Sequence, residues 1–351
     1  MKALLLYYSN KNSRLLSYND DWLDAFLNYE KNIRWDQCNL AKKSWFLLLP
    51  RINKYELIVL LHSTNSNREA VRPILRKVLL HRKGNIIVFI GNEYKNIPQK
   101  FKLINDIDAD FIASQLPQDT AEWLYTGKHA KIISVPHALN PSVFKPNIPN
   151  NKREIDIGER SYDYPWYLGD IDRNLIGDFF LNLLSYNLKI DVSHNVNKRF
   201  NRNGWANFLN QCKGTVATEA GTLFLERDDR TRIAINQFLS NNKSLEFEEV
   251  YKRFFADYKN PVSGKTISSR HFDAIGTKTC QIMFKGRFCD ILVPEEHYIV
   301  LNKNFNNLDD VIKRFKDNEY RQKMVDRTYE YVMDLHTHKH RLKSLFKEIA
   351  L

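Results

Sequence analysis

Arg270 and Asp273 stand three residues apart in the run Ser268-Ser269-Arg270-His271-Phe272-Asp273. Residues at that spacing share one face of a helix, so a helix opening here sets a guanidinium beside a carboxylate. Such a pair suits a nucleoside diphosphate. The guanidinium, the first N–H groups of the helix and its dipole all favour phosphate oxygens. The carboxylate can accept two ribose hydroxyls, as acidic residues do in dinucleotide-binding folds. The same letters would also cap and neutralise an ordinary surface helix. Arg270, His271, Phe272 and Asp273 are therefore the first nucleotide-binding candidates. Arg160, closing Ile157-Gly158-Glu159-Arg160, is another phosphate or base contact, or else a plain surface arginine. Glu219 and Gly221 follow the strand-like run Gly214–Thr218, where glycine lets a ligand approach the backbone or simply makes a turn.

Three residues of the first half could take a proton from a hydroxyl. His62 follows the apolar run 57–61, Glu93 follows Ile90 in Gly91-Asn92-Glu93, and His137 sits in Val135-Pro136-His137. A general base must lie within hydrogen-bond reach of its target and have a suitable pKa. Each residue also suits a lesser role, as a solvated loop residue or, for His137, a buried histidine. His336, His338 and His340 invite a metal reading, but no carboxylate or cysteine cluster accompanies them. Asp106-Ile107-Asp108 and Asp170-Ile171-Asp172 match a metal-binding spacing in helix-end or loop settings. No metal site is expected. Cys280 leads the apolar run Gln281-Ile282-Met283 and reads as a packing residue.

These residues need elements to hold them. Strands are expected at 3–8, 55–61, 85–90, 111–114 and 131–135, alternating with helices at 21–29, 68–81, 98–107 and 120–125. Alternating βα units predict a parallel sheet covered on both faces, with ligands at the carboxyl ends of its strands. The stretch 141–152 holds three prolines and cannot continue regular structure. A second α/β pattern follows: helices at 175–186, 205–212, 271–276 and 308–314, and strands at 188–192, 214–218, 281–284 and 298–301. From Glu319 to Ile349 the pattern is helical, broken near 335–337. Residues 223–266 read as a charged insertion. The expected division is 1–145, 146–330 and a terminal helix at 331–351 packing back toward the first domain. The fold class is α/β, with two Rossmann-like domains facing across a cleft.

At 351 residues the chain can bury two cores. With 43% hydrophobic and 27% charged residues it is globular rather than disordered. The apolar runs are too short for a bilayer span, and the N-terminus lacks a secretory pattern. Four cysteines without CxxC spacing suggest a reducing, cytoplasmic setting. The net charge of +12 is spread along amphipathic helices. No nucleic-acid motif accompanies it, so an anionic membrane surface or anionic substrates are the better partners.

The crossing Val135-Pro136-His137-Ala138-Leu139-Asn140-Pro141-Ser142-Val143-Phe144-Lys145-Pro146 resembles the interdomain segment of GT-B glycosyltransferases. The run from Ser269 to Gly276, followed by Cys280-Gln281-Ile282-Met283, is similar to the Arg-x-Phe-Glu-Ala pattern of bacterial members related to spore-coat maturation proteins and polysaccharide-cluster enzymes. Pro294-Glu295-Glu296-His297-Tyr298-Ile299 and the closing segment through His336-Thr337-His338-Lys339-His340-Arg341 resemble the same family. The resemblance covers about 131–149 and 265–346. It implies a UDP- or GDP-linked sugar donor as co-substrate, no separate cofactor, a glycan or lipid-linked acceptor, and a ribose-gripping carboxylate at Asp273. It also implies a place in bacterial surface polysaccharide or lipopolysaccharide synthesis, in the cytoplasm or at the inner face of the membrane. Two departures stand out. The family usually has Glu at the ribose position, and Lys265 occupies the place of a second Glu, for which Glu219 is a spatial substitute. Two rivals are a nucleotide-dependent oxidoreductase and a non-catalytic binding protein on a degenerate version of the fold. Against the first, the turn Tyr8-Ser9-Asn10-Lys11-Asn12-Ser13 has no glycine.

Overall fold

The computed structural model describes residues 1–10, 16–29, 32–242, 244–259 and 262–350. Lys11, Asn12 and Ser13 of the glycine-free turn lie outside the described residues. The chain divides into two units. The first comprises Met1–Pro136, Gly221–Gly264 and Arg341–Leu351, and the second His137–Ala220 and Lys265–His340.

In the first unit, β1 (Lys2–Tyr7), α1 (Ser17–Leu27), β2 (Arg34–Asn39), β3 (Leu57–Leu60), α2 (Pro73–Leu80), β4 (Asn85–Phe89), α3 (Ile97–Asp106), β5 (Phe111–Ser114), α4 (Gln118–Leu124) and β6 (Lys131–Ser134) follow in order. The six strands form one parallel sheet, ordered β2-β1-β3-β4-β5-β6. The unbroken apolar letters of β3 and β4 follow from burial on both faces. Leu4, Leu6, Ile58 and Leu60 enter one cluster, and Ala3, Leu5, Leu57 and Val59 enter the other. The expected helix start near Asn67 is displaced to Pro73, whose fixed φ and missing N–H suit the first helical position.

The second unit continues with β7 (Ile155–Arg160), α5 (Asp172–Leu181), β8 (Ile190–Ser193), α6 (Arg202–Gln211), β9 (Cys212–Ala217) and β10 (Ala220–Thr222). The chain then passes through α7 (Arg230–Asn241) and α8 (Phe247–Phe254), which belong to the first unit, and returns at β11 (Gly264–Thr266). After it come α9 (Ser269–Gly276), β12 (Cys280–Met283), β13 (Ile299–Val300), α10 (Leu308–Lys316), α11 (Asn318–Leu335) and α12 (His338–Glu348). The second sheet is also parallel, ordered β13-β12-β9-β7-β8.

The division differs from the sequence expectation in two places. It falls after Pro136 rather than at 145, because Leu139 and Phe144 are buried in the second unit's core with Phe272 and Met283. The insertion joins the first unit, since Leu225 is buried in that unit's core. At the far end, Leu342, Leu345 and Phe346 of α12, with Ile349 just past it, cover the remaining face of the first sheet beside Trp22 and Phe26. The break expected near 335–337 is the junction of α11 and α12.

Candidate functional site

Helix α9 opens with a reciprocal cap. The Ser268 backbone N–H donates to His271 Nδ1 at 3.0 Å, and the Ser268 side chain in turn accepts from the third residue of the helix. Such boxes fix where a helix begins. His271 is 1% exposed, and burial pushes its pKa down to about 4, so the ring is neutral and structural. Phe272 is fully buried in the apolar core. The same helical turn that exposes Arg270 turns Phe272 inward, whereas His271 lines the indentation at the head of α9.

Arg270 lies in the first turn of α9, a quarter exposed, with Nη1 3.7 Å from Glu159 Oε1. Arg173 occupies the first turn of α5, its guanidinium 3.7 Å from the Tyr164 ring centre. Arg199 lies 5.6 Å from the centre of the Tyr162 ring. Burial and the charge of Arg173 lower the Arg270 pKa to about 10. Arg199 is shifted in the same direction, by burial first and by Arg173. Burial also raises the Glu159 carboxyl, against the pull of Arg270 and Arg173. Arg270 pairs with this buried carboxylate, while the charges of Arg173 and Arg199 act on the same cluster. Two of them, Arg173 and Arg270, stand at the positive ends of helices, where a cation is unfavourable.

Arg173, Arg270 and Glu159 border an indentation partly open to solvent, lined also by Trp205, Thr218, Ser268 and His271. Gln281 also lines it, 2% exposed and with neither amide atom hydrogen-bonded. A concavity with two guanidiniums, two helix N-termini and one aromatic wall is chemically an anion site. Asp273 lies one turn beyond Arg270, and its Oδ2 accepts the Trp205 indole N–H at 3.1 Å. The carboxylate expected at the ribose is thereby tied to the aromatic wall of the same indentation.

Arg160 is placed otherwise than expected. It makes a two-pronged pair with Asp191 at 2.8 Å, donates to the Glu159 and Asp191 carbonyls, and stacks on Phe208. It fastens β7 to β8. Glu219 accepts the Phe288 N–H at 2.7 Å, and a Cβ on Gly286 would fall 2.5 Å from its carboxylate. Its carboxylate is thereby tied to the backbone at Phe288. Lys265, in the place of the family's second glutamate, is paired with buried Asp170. Gly221 has φ +90 in the middle of β10, a backbone conformation that a side chain would strain.

In the first unit His62 is 1% exposed, within 5.1–5.8 Å of the ring centres of Tyr18, Trp22 and Phe89. Glu93 is buried and accepts from Ser114 Oγ, Tyr125 OH and the Gln115 N–H. Its carboxylate anchors the turn after β5. His137 is 6% exposed at the start of the second unit. Past β3 and β4 lies a hollow of about 210 Å³, bordered by Asn65, Arg68, Asn96 and Lys100, whose ammonium pKa is pushed down to about 7 by burial. Among the described residues no group of three or more His, Cys, Asp or Glu is placed to hold a metal ion. His336 instead contacts Tyr331 OH, and His340 contacts Thr337 Oγ1.

Arg173, Arg199 and Trp205 were missed by the sequence reading. The available signal was an arginine where a helix prefers an acid, but it acquires meaning only when two such helix ends meet.

No protein-family profile matches the chain, and no curated protein sequence does. Solved structures do. The Anabaena protein Alr3699/HepE, in complex with UDP and glucose, matches with a TM-score of 0.54 and 7% identity over 100% of this chain and 99% of that one. T4 phage BGT, in complex with its UDP-glucose substrate, matches with a TM-score of 0.51 and 11% identity over 100% of both chains. The chain therefore has the GT-B fold of these glycosyltransferases. Identities this low carry the fold and nothing finer. No helix among the described residues is long and apolar enough to cross a membrane.

Proposed function

We propose that this chain is a glycosyltransferase that moves a sugar from a nucleotide-sugar donor to a hydroxyl of a glycan or lipid-linked acceptor. The observation that carries the reading is Arg173 and Arg270, at the N-termini of α5 and α9, lining one indentation with the single buried carboxylate Glu159. Charges so arranged are mutually unfavourable until an anion arrives. A diphosphate supplies that anion, and as the leaving group departs its growing charge meets donors already in place. In this reading Asp273 holds the ribose, Trp205 forms the wall for the base, and the arginines carry leaving-group charge without a metal ion. Proton removal from the acceptor is assigned to His137, which begins the unit that also holds Arg173 and Arg270.

UDP is the nucleotide to test first, since HepE and T4 phage BGT are both seen with UDP or UDP-glucose. GDP is the second. The acceptor is expected in bacterial surface polysaccharide or lipopolysaccharide synthesis, reached by peripheral contact with an anionic membrane on its cytoplasmic face. Calorimetric titration tests the donor claim: UDP or GDP should bind and raise the melting temperature, and failure of every UDP-, GDP- and CMP-linked donor to do so sinks it. His137→Ala should lower turnover and leave UDP affinity unchanged. Lys265, locked to Asp170 where the resemblance places a glutamate, favours a second reading: a protein that binds a nucleotide sugar without transferring it. Donor binding with no transfer to any glycan or glycolipid in a panel would select it.

A further inference from the structure

The first unit carries an exposed apolar and cationic surface unrelated to the arginine cluster. Residues Lys43–Lys54 form a run of 3-10 turns. Trp45 and Ile52 point inward and join the core, while Phe46 and Leu47 are 52% and 69% exposed. Exposed Lys42, Lys43, Arg51 and Lys54 flank them, and no Asp or Glu occurs between Asp36 and Glu56. The same core takes Leu75 and Leu79 from α2. On the outside of that helix Ile74 and Leu80 are 50% and 43% exposed, with Arg72 and Lys77 exposed beside them. The carboxylates nearest in sequence are engaged: Asp36 with Lys2 and Tyr55, Glu56 with the Lys2 N–H, and Glu69 with Arg76.

Large apolar side chains left in water beside unbalanced cations match one environment closely, the boundary between anionic headgroups and acyl chains. A polynucleotide would satisfy the charges and leave Leu47, Ile74 and Leu80 wet. We propose that Lys42–Lys54 and the outer face of α2 form a docking surface for an anionic lipid bilayer. Phe46 and Leu47 enter the interface, and Lys42, Lys43, Arg51 and Lys54 meet headgroup phosphates. The inference locates the membrane contact included in the functional reading above and rests on that part of it alone.

Co-sedimentation of the full chain with vesicles tests it, using phosphatidylcholine alone and an equal mixture with phosphatidylglycerol. The chain should partition onto the mixed vesicles, leave the neutral ones in solution, and dissociate as salt rises. Phe46→Ser/Leu47→Ser and, separately, Lys42→Gln/Lys43→Gln should each lower partitioning about tenfold or more. UDP affinity should be unchanged in both. The charge pair keeps the test valid should the apolar pair disturb folding. Absent or equal partitioning onto the two vesicle types, or variants that bind like the parent, would overturn the proposal. So would self-association that depends on Phe46 and Leu47 without vesicle binding, which would assign the surface to a protein contact. Vesicle binding without any nucleotide binding would leave this surface standing and remove the transferase reading.

Discussion

Replacing Arg173 by Met separates a binding role from a structural one. Methionine keeps an apolar stem against the Tyr164 ring while deleting the charge. The fall of the Arg270 pKa to about 10 corresponds to roughly 3 kcal/mol, and burial, its first cause, accounts for most of it. Relief of the Arg173 repulsion is then worth about 1 kcal/mol at most, less after solvent screening. Against this stands the lost cation–ring contact at 3.7 Å, about 0.5–1 kcal/mol. Folding stability in urea without ligand should therefore stay within about 1 kcal/mol of the parent. Binding should respond differently. A guanidinium on a phosphate contributes about 1.5–3 kcal/mol, so UDP affinity should fall on the order of 10- to 100-fold by titration calorimetry. UDP affinity within about threefold of the parent would refute the reasoning. A large loss of stability with affinity intact would show that Arg173 serves the fold.

Three further outcomes follow from the same geometry. His271 is held neutral, with a folded pKa of about 4 below its unfolded value of roughly 6.5, so its stabilisation is fully present above 6.5 and lost as pH falls through 4. The loss is about 3 kcal/mol, and His271→Asn should flatten that acid limb in urea melts taken between those values. Asp191→Asn, which breaks the half-exposed pair with Arg160, should cost about 1–2 kcal/mol of stability and leave UDP affinity within about twofold. Glu93→Ala strands three donors, two of them buried side chains, and should cost about 2–4 kcal/mol by thermal or urea denaturation, without a selective effect on donor binding.

The parallel sheets were legible because residues such as Leu57–Leu60 and Ile86–Phe89 are buried on both faces and spell their state in apolar letters. Strand β2, Arg-Trp-Asp-Gln-Cys-Asn, was not. As an edge strand with only Cys38 buried, it carries no such pattern. A helix was expected at 271–276, and it begins two residues earlier, at Ser269, behind a Ser268 cap that the linear reading did not single out. What each side chain does there was not legible, because Phe272 and Arg270 differ only in which way the helix turns them. Arg160 and Glu219 look like ligand contacts in a linear reading, since each ends a strand beside a glycine. Only the fold shows Asp191 and the Phe288 N–H waiting for them.

The chain changes unit four times, after Pro136, Ala220, Gly264 and His340. Neither unit is therefore a continuous piece of sequence, and no single cut can separate them. One face of the first sheet is shared between Trp22 and Phe26 of α1 and the far later Leu342, Leu345, Phe346 and Ile349. During synthesis its six strands are made well before those four residues, so that face is covered by α1 alone in the interval. Sequential completion, domain after domain, is the usual course for long chains, and it is closed to this one. Its birth order makes the N-terminal sheet the part most in need of protection while the rest is still being translated.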